Sequence, residues 1–357
     1  MEFRKGSILR NDAKAEMQHH VPKAALLKNF SFEKPNGKSR HVFLFDRLKG
    51  KLIPSQPSVN NVLGQRNFYS VKLGESIYSI EEGLTALEDA TSPIISKIIT
   101  NESLECLSDK DRAKLSTFIT AQWLRSPKIR ASQKTFSETL AAKSRRIAPE
   151  ASNLSEIEAH ASEDGVKLSS IRLIEDLTGN LAEIVYSYRW LLHRATPQQS
   201  FWISDCPVVM HSQEDFGPYG SLGFGVPGIQ LTMPLSSDFA LSIWHPKVVH
   251  DLTKDYDERL KTFKHLKIKQ ALAPMTVSLE AEALILETEK KFRSLDFLLD
   301  NLDIGTAIPS SSENMDHFNS LQFNWSLRFI ASKNDDFVLA ARMYKDNPGG
   351  GVSFRMD

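Results

Sequence analysis

The sequence predicts a mainly helical α+β fold, and three observations predict it. Between about residues 77 and 195, apolar residues recur at helical spacing. From residue 199 to 211 the pattern switches to a nearly continuous apolar and β-branched run, which reads as a buried strand. Beyond it, the runs 229–233 and 239–244 flank the polar turn 234–238, as an antiparallel pair would. The expectation is an N-terminal helical portion, then a C-terminal half mixing a small, mostly antiparallel sheet with helices. The change near residue 198 is one of composition, without a linker, so a single domain over residues 19–345 is expected, with its helical portion at about 77–195 and its sheet-containing portion at about 199–345. Residues 1–18 and 346–357 carry few apolar positions and read as flexible tails.

Composition limits the function classes. The 357 residues are 41% hydrophobic and 25% charged, enough for a sizeable core. Forty-four basic residues balance forty-four acidic ones, so no global field draws the chain to nucleic acid or to an anionic membrane. Cys106 and Cys206 have no CxxC-type partner spacing, which fits a reducing compartment and excludes a disulfide framework or zinc knuckle. No run has the length of a signal peptide core or a membrane span, so a soluble cytoplasmic protein is expected.

In chain order, His19-His20-Val21-Pro22 opens the ordered part. Adjacent histidines point about 100° apart on a helix and to opposite faces of a strand, so only one of them faces any given site. Residues 41–45 and 51–53, joined by a connection that ends in Gly50, read as a hairpin, and 67–71 as a further short strand. From about residue 77 a helix carries Ile80, Leu84, Leu87, Ile94, Ile95 and Ile98 as its apolar stripe, with Pro93 expected to kink or divide it. Glu81 and Glu88 flank that stripe seven positions apart, with Cα atoms about 10 Å from one another, too far for both to ligate one ion unaided.

A second helix, 108–126, starts on a Ser-Asp-Lys-Asp cap signal and stops before Pro127. Its buried stripe of Leu115, Phe118 and Ile119 continues as Gln122 and Arg125. An amide and a guanidinium in that position must be satisfied internally or face a cleft. Residues 125–146 hold seven basic side chains against one acid, a patch able to meet phosphates or nucleic acid, although the acidic residues between 150 and 164 offer pairing partners. A further helix is expected over 169–193, ending in Tyr188, Leu191 and Leu192 at core spacing. The glycines of 215–228 lack phosphate-loop spacing, and this stretch reads as a covering loop. A long helical region is expected from about 256 to 292, interrupted at Pro274, followed by a loop over 301–315 and a helix over 317–325.

Within the strand-like run, Ser204-Asp205 is the only polar interruption, and Pro207 marks a bend just after it. Asp205 therefore either ties up loop amides or faces a ligand.

Several fragments in order resemble one family, the uncharacterised bacterial DUF4238 domain proteins. They are His19-His20-Val-Pro with Leu27-Lys-Asn-Phe30, Ile80-Glu81-x-x-Leu84-x-x-Leu87-Glu88, Phe118-Ile119-x-x-Gln122-x-x-Arg125-Ser-Pro127, Phe201-x-x-Ser204-Asp205-x-Pro207-Val208, Pro234-Leu-Ser236, and Asn319-x-x-Gln322 with Arg328-Phe-Ile330. The chain departs from the family pattern at Lys23-Ala24-Ala25, where an aromatic usually follows the proline, and at Cys206, where Asn is common. The resemblance implies a shared architecture and a shared pocket, and no reaction.

The polar groups so marked sit on different elements, and buried charges are costly unless paired, so convergence is expected. Three functions are open to such a cluster. The first is a metal-dependent hydrolase of phosphoesters, with Asp205, Glu81, Glu88 and His20 as catalytic groups. Arg125, Gln122, Ser204 and Asn319 would bind substrate, and Asp205, Glu88 and His19 would hold Mg²⁺ or Mn²⁺. The second is an anion- or nucleotide-sensing or toxin-like effector module without turnover, its 125–146 stretch facing a partner. The third is a structural or interaction protein in which the cluster is an interior network.

Overall fold

The computed structural model describes residues 6–10, 17–35, 37–212, 214, 220, 222–272, 279–302 and 305–348. It is 51% helical and 20% strand, which makes the fold mainly helical α+β. Short strands fill the first eighty residues: β1 (Ser7–Arg10), β2 (Met17–His19), β3 (Phe32–Glu33), β4 (Arg40–His41), β5 (Phe43–Asp46), β6 (Lys51–Ile53), β7 (Gly64–Arg66), β8 (Ser70–Leu73) and β9 (Ser76–Ser79). The expected hairpin is β5–β6, paired antiparallel from Leu44 opposite Ile53 to Asp46 opposite Lys51. Part of the expected N-terminal tail is in fact paired: β1 runs antiparallel to β9, and β2 to β7, which leaves Gln18 buried. Residues 349–357 of the expected C-terminal tail lie outside the described residues.

Five α-helices follow: α1 (Glu81–Asn101), α2 (Asp109–Leu124), α3 (Pro127–Ile147), α4 (Leu154–Ala161) and α5 (Glu163–Ser187). Pro93 does not divide α1. It lies on the exposed face, where a missing N–H and a bulky ring disturb no packing, while Ile94, Ile95 and Ile98 stay buried. The start signal of α2 is a complete capping box, with Ser108 and Asp111 each accepting the other's main-chain N–H. Ser126 caps α3 and Pro127 takes its first position, so α2 and α3 meet at a single sharp joint.

One expected helix end is wrong. Residues 189–194, expected to continue α5, form β10 (Arg189–Arg194). Trp190, Leu191, Leu192 and His193 are all buried, and four consecutive buried side chains suit a strand covered on both faces better than one face of a helix.

The run 199–211 is two strands in two sheets. β11 (Ile203–Ser204) pairs with β16 (Phe329–Ser332), whereas β12 (Val209–Ser212) pairs with β13 (Ile229–Pro234). The chain changes sheet through Asp205-Cys206-Pro207. With β14 (Phe239–Trp244) and β15 (Ile308–Pro309), the larger sheet has the order β12-β13-β14-β10-β15, antiparallel except for β10 against β15. The second sheet has the order β11-β16-β5-β6 and so ties the N-terminal hairpin to the C-terminal strands. The remaining helices are α6 (Pro246–Leu272), α7 (Leu279–Asp300), α8 (Ser312–Trp325) and α9 (Val338–Asp346). Pro274 and much of the expected 215–228 loop lie outside the described residues.

The hairpin docks on α9 through its turn. Gly50 has φ +61°, and an added Cβ would enter the ring of Tyr344. Gly50→Ala is therefore expected to lower stability by about 1–3 kcal/mol, combining a left-handed backbone with overpacking. Urea denaturation of the two proteins measures this directly.

Candidate functional site

The marked polar residues separate into two interior clusters joined by the α2–α3 connection. The first is centred on Arg125, the C-cap residue of α2. Its guanidinium is 3% exposed and lies between two acceptors. Nε and Nη2 donate to Gln122 Oε1 at 2.9 and 2.6 Å, and Nη1 donates to Glu88 Oε1 at 2.7 Å. Gln122 in turn donates through Nε2 to the His20 carbonyl at 2.5 Å. The Tyr69 hydroxyl donates to the Arg125 carbonyl, and the guanidinium lies over the Tyr69 ring, 5.8 Å from its centroid. Burial works against the Arg125 charge, but Glu88, Tyr69 and Glu81 outweigh it and hold its pKa above the ordinary range.

Both histidines border this cluster, turned differently. His19 Nδ1 is 3.0 Å from the Val62 carbonyl oxygen, while the His20 ring packs edge-on against Phe68, with centroids 4.2 Å apart. Burial, with Arg130 and Arg125 second, pushes His20 down to about 3. Burial and Lys23 also hold His19 below the ordinary imidazole range. Among the described residues, His19 Nε2, His20 Nδ1 and Arg130 Nε are buried without a hydrogen-bond partner. Arg130 Nη1 donates to the Phe68 carbonyl at 2.6 Å.

The second cluster is centred on Asp205, which is 4% exposed. Oδ1 accepts the Leu327 N–H at 2.8 Å, and Oδ2 accepts those of Arg328 and Phe329 at 2.8 and 3.0 Å. Burial raises the Asp205 pKa, and the three amides oppose that rise. Beside it, Lys128 donates to the Asn324 carbonyl at 3.0 Å, and burial pushes its amine down to about 8. Burial also pushes the Cys206 thiol up, so it is a poor nucleophile where it stands.

Asn319 and Gln322, one turn apart on α8, read the main chain of residues 200–207. Asn319 accepts from Trp202 N and donates to the Ser200 carbonyl, at 2.9 and 3.0 Å. Gln322 Oε1 accepts from Ser204 N and Oγ, and its Nε2 donates to the Pro207 carbonyl.

The sequence analysis expects all of these groups to converge; the structure places His20, Glu81, Glu88, Gln122 and Arg125 in one cluster and Ser204, Asp205 and Asn319 in another. The expected metal set of Asp205, Glu88 and His19 does not form. Asp205 serves amides, Glu88 serves Arg125, and His19 Nδ1 serves Val62. Among the described residues no three His, Cys, Asp or Glu side chains are placed to hold a metal ion. The basic stretch 125–146 also divides: Arg125 and Lys128 are buried, and Lys134 and Arg145 pair with Glu138 and Glu158. Gln18, Phe68 and Tyr69 complete the first cluster and went unmarked in the sequence, and Arg130 was marked only as part of the basic stretch 125–146. Only Arg130 carried a signal, lying in the first turn of a helix that follows Arg125.

A family model described as a protein of unknown function, DUF4238, matches residues 17–336, so the chain belongs to the DUF4238 family. No curated protein and no solved structure matches the chain. No helix among the described residues is long and apolar enough to cross a membrane.

Removing Arg125 leaves Glu88 and Gln122 without their partner, and Arg125→Ala is expected to cost about 3–5 kcal/mol in urea denaturation. Asp205→Asn turns one acceptor into a donor facing amides and is expected to cost about 1–3 kcal/mol. Two buried histidines also set a pH response. His20 is held near 3 and His193 near 4, whereas both titrate near 6.5 when unfolded. As pH falls below 6.5 the unfolded chain takes up protons that the folded chain excludes. Their stabilisation is therefore full above 6.5 and is lost as pH falls towards 4 and 3. The slope reaches at most about 1.4 kcal/mol per pH unit for each histidine. Urea denaturation at pH 7, 6 and 5 should show the decline, and His20→Phe should reduce it.

Proposed function

We propose that this DUF4238 chain is a non-catalytic binding or interaction protein whose marked polar residues are its internal frame. One observation supports this above the rest: the Asp205 carboxylate accepts three main-chain N–H groups at 2.8–3.0 Å and is buried. A carboxylate that closes a loop in this way is directed at the protein, not at a substrate. The other marked residues follow the same rule. Gln122, Arg125 and Glu88 satisfy one another, and Asn319 and Gln322 satisfy the chain around Ser204.

A second reading, anion or nucleotide sensing, is favoured by the buried, unpartnered nitrogens of His19, His20 and Arg130 beside Arg125. Metal-dependent phosphoester hydrolysis has narrower support, the nearness of Glu81 and Glu88 to Arg125. It requires Asp205 or Glu88 to exchange its present partner for an ion.

Thermal unfolding of the wild type and of Asp205→Asn, with Mg²⁺, Mn²⁺, Zn²⁺ and a panel of nucleotides, separates the three. A ligand that binds only the folded state adds about 2.7 kcal/mol of stability at a hundred times its dissociation constant. The frame reading predicts no ligand shift in the wild type and a lower melting temperature for the variant. A nucleotide shift that His20→Phe abolishes would replace it with sensing. An ion-dependent shift lost in Asp205→Asn would replace it with hydrolysis.

A further inference from the structure

The chain is neutral as a whole, but its charge is unevenly spread. Residues 28–58, which carry β3 to β6, hold seven bases against two acids, a net charge of +5. Both acids are engaged: Glu33 pairs with Arg40 at 3.2 Å, and Asp46 with Arg328 at 2.9 Å. The neighbouring segments do not reverse the balance. β5 lies beside β16, the β5–β6 turn meets α9, and Asn29 donates to the Leu235 carbonyl. Residues 234–239 and 328–346 together hold four bases against four acids. Among the described residues, the hydrogen bonds and ring contacts of residues 32–41 all stay within residues 28–58. The β3–β4 hairpin is therefore the part of this region farthest from any unpaired acid along its own contacts.

One large aromatic side chain on that hairpin has no place in the interior. Phe32 is half-buried and belongs to none of the hydrophobic clusters of the described residues. It stacks instead on Phe43, with ring centroids 4.9 Å apart and planes 27° from parallel. His41, opposite Phe32 in the pairing, is fixed by the Ser39 hydroxyl and the Gln56 carbonyl, both at 2.9 Å. Arg40 is occupied too, donating to the Lys28 carbonyl and to the Ser31 hydroxyl. That leaves Lys28, Lys34 and Lys38 around Phe32, all within six positions of it and none in an ion pair with a described residue. A ring held flat by a second ring, on a basic surface, suits a ligand with a flat aromatic group and repeated negative charge. An acidic peptide supplies the charge alone.

We propose that this face binds single-stranded nucleic acid, with a base stacked on Phe32 and with Lys28, Lys34 and Lys38 against the phosphates. A single strand is required because a base inside a duplex has both of its faces covered. The face shares no side chain with the Arg125 or Asp205 clusters, so the proposal stands or falls apart from the frame reading.

Fluorescence anisotropy of labelled oligo-dT and oligo-U of about fifteen nucleotides, titrated with the full chain, tests it. Saturable binding that weakens as salt rises is expected for at least one of them, and the tighter of the two names the strand as DNA or RNA. Phe32→Ala should weaken binding roughly tenfold, because one stacked base is lost, and Phe32→Tyr should not. The double variant Lys34→Glu with Lys38→Glu should weaken binding and flatten its salt dependence. Neither ammonium group bonds another described residue, so this variant should melt like the wild type. Absence of salt-dependent binding, unchanged affinity in Phe32→Ala, or duplex DNA bound as tightly as a single strand would overturn the proposal. So would poly-glutamate bound as tightly as the oligonucleotides, which would make the face a contact for an acidic protein.

Discussion

Everything in the helical half depends on keeping one guanidinium satisfied without water. Arg125 is buried at the end of α2, and an isolated charge there would be prohibitively unstable. Its partners come from three places in the chain: Glu88 on α1, Gln122 on its own helix, and Tyr69, whose ring lies beneath the guanidinium. Gln122 extends the set to the His20 carbonyl, so the N-terminal strands are held by the same bonds that join α1 to α2.

The joint that follows carries this constraint into the sheet half. Ser126 and Pro127 turn the chain, and Lys128 then enters the Asp205 cluster, where it donates to the Asn324 carbonyl beside Trp325. Two residues later Arg130 returns to the first cluster through the Phe68 carbonyl. Within six consecutive residues, Arg125, Lys128 and Arg130 thus bond to α1, to the end of α8 and to the connection between β7 and β8. Asp205 completes the other side by closing the loop before β16, and β16 pairs with both β11 and β5. The fragments that mark the family contact one another: Asn29 donates to the Leu235 carbonyl, Gln322 holds Ser204, and the Arg328 N–H donates to Asp205 at 2.8 Å.

Much of this was legible in the residues. A helix that continues Leu115, Phe118 and Ile119 with Gln122 and Arg125 announces a buried polar cluster, and Glu88 stands out beside the α1 stripe, although nothing in the sequence names it as the counter-charge of Arg125. The break at Asp205-Cys206-Pro207 was visible too. Its consequence was not, because which amides an aspartate meets depends on where residues 327–329 lie, over a hundred positions away. The same reason hid the partners of Gln18 and Tyr69. β10 was misread as helix because a short fully buried strand and a buried helix end share an apolar run, and only pairing with β14 distinguishes them. The metal set failed because sequence marks costly groups without showing which are already paired.

The central claim is that these costly groups stabilise one another. A double-mutant cycle on Glu88→Leu and Arg125→Met, followed by urea denaturation, tests it most directly, since the cycle isolates the pair from each residue's other contacts. The account predicts that the two changes are non-additive by at least about 1 kcal/mol, with Arg125→Met less destabilising when Glu88 is already gone. Additive effects would contradict it, because Arg125 would then be held by something other than the network described.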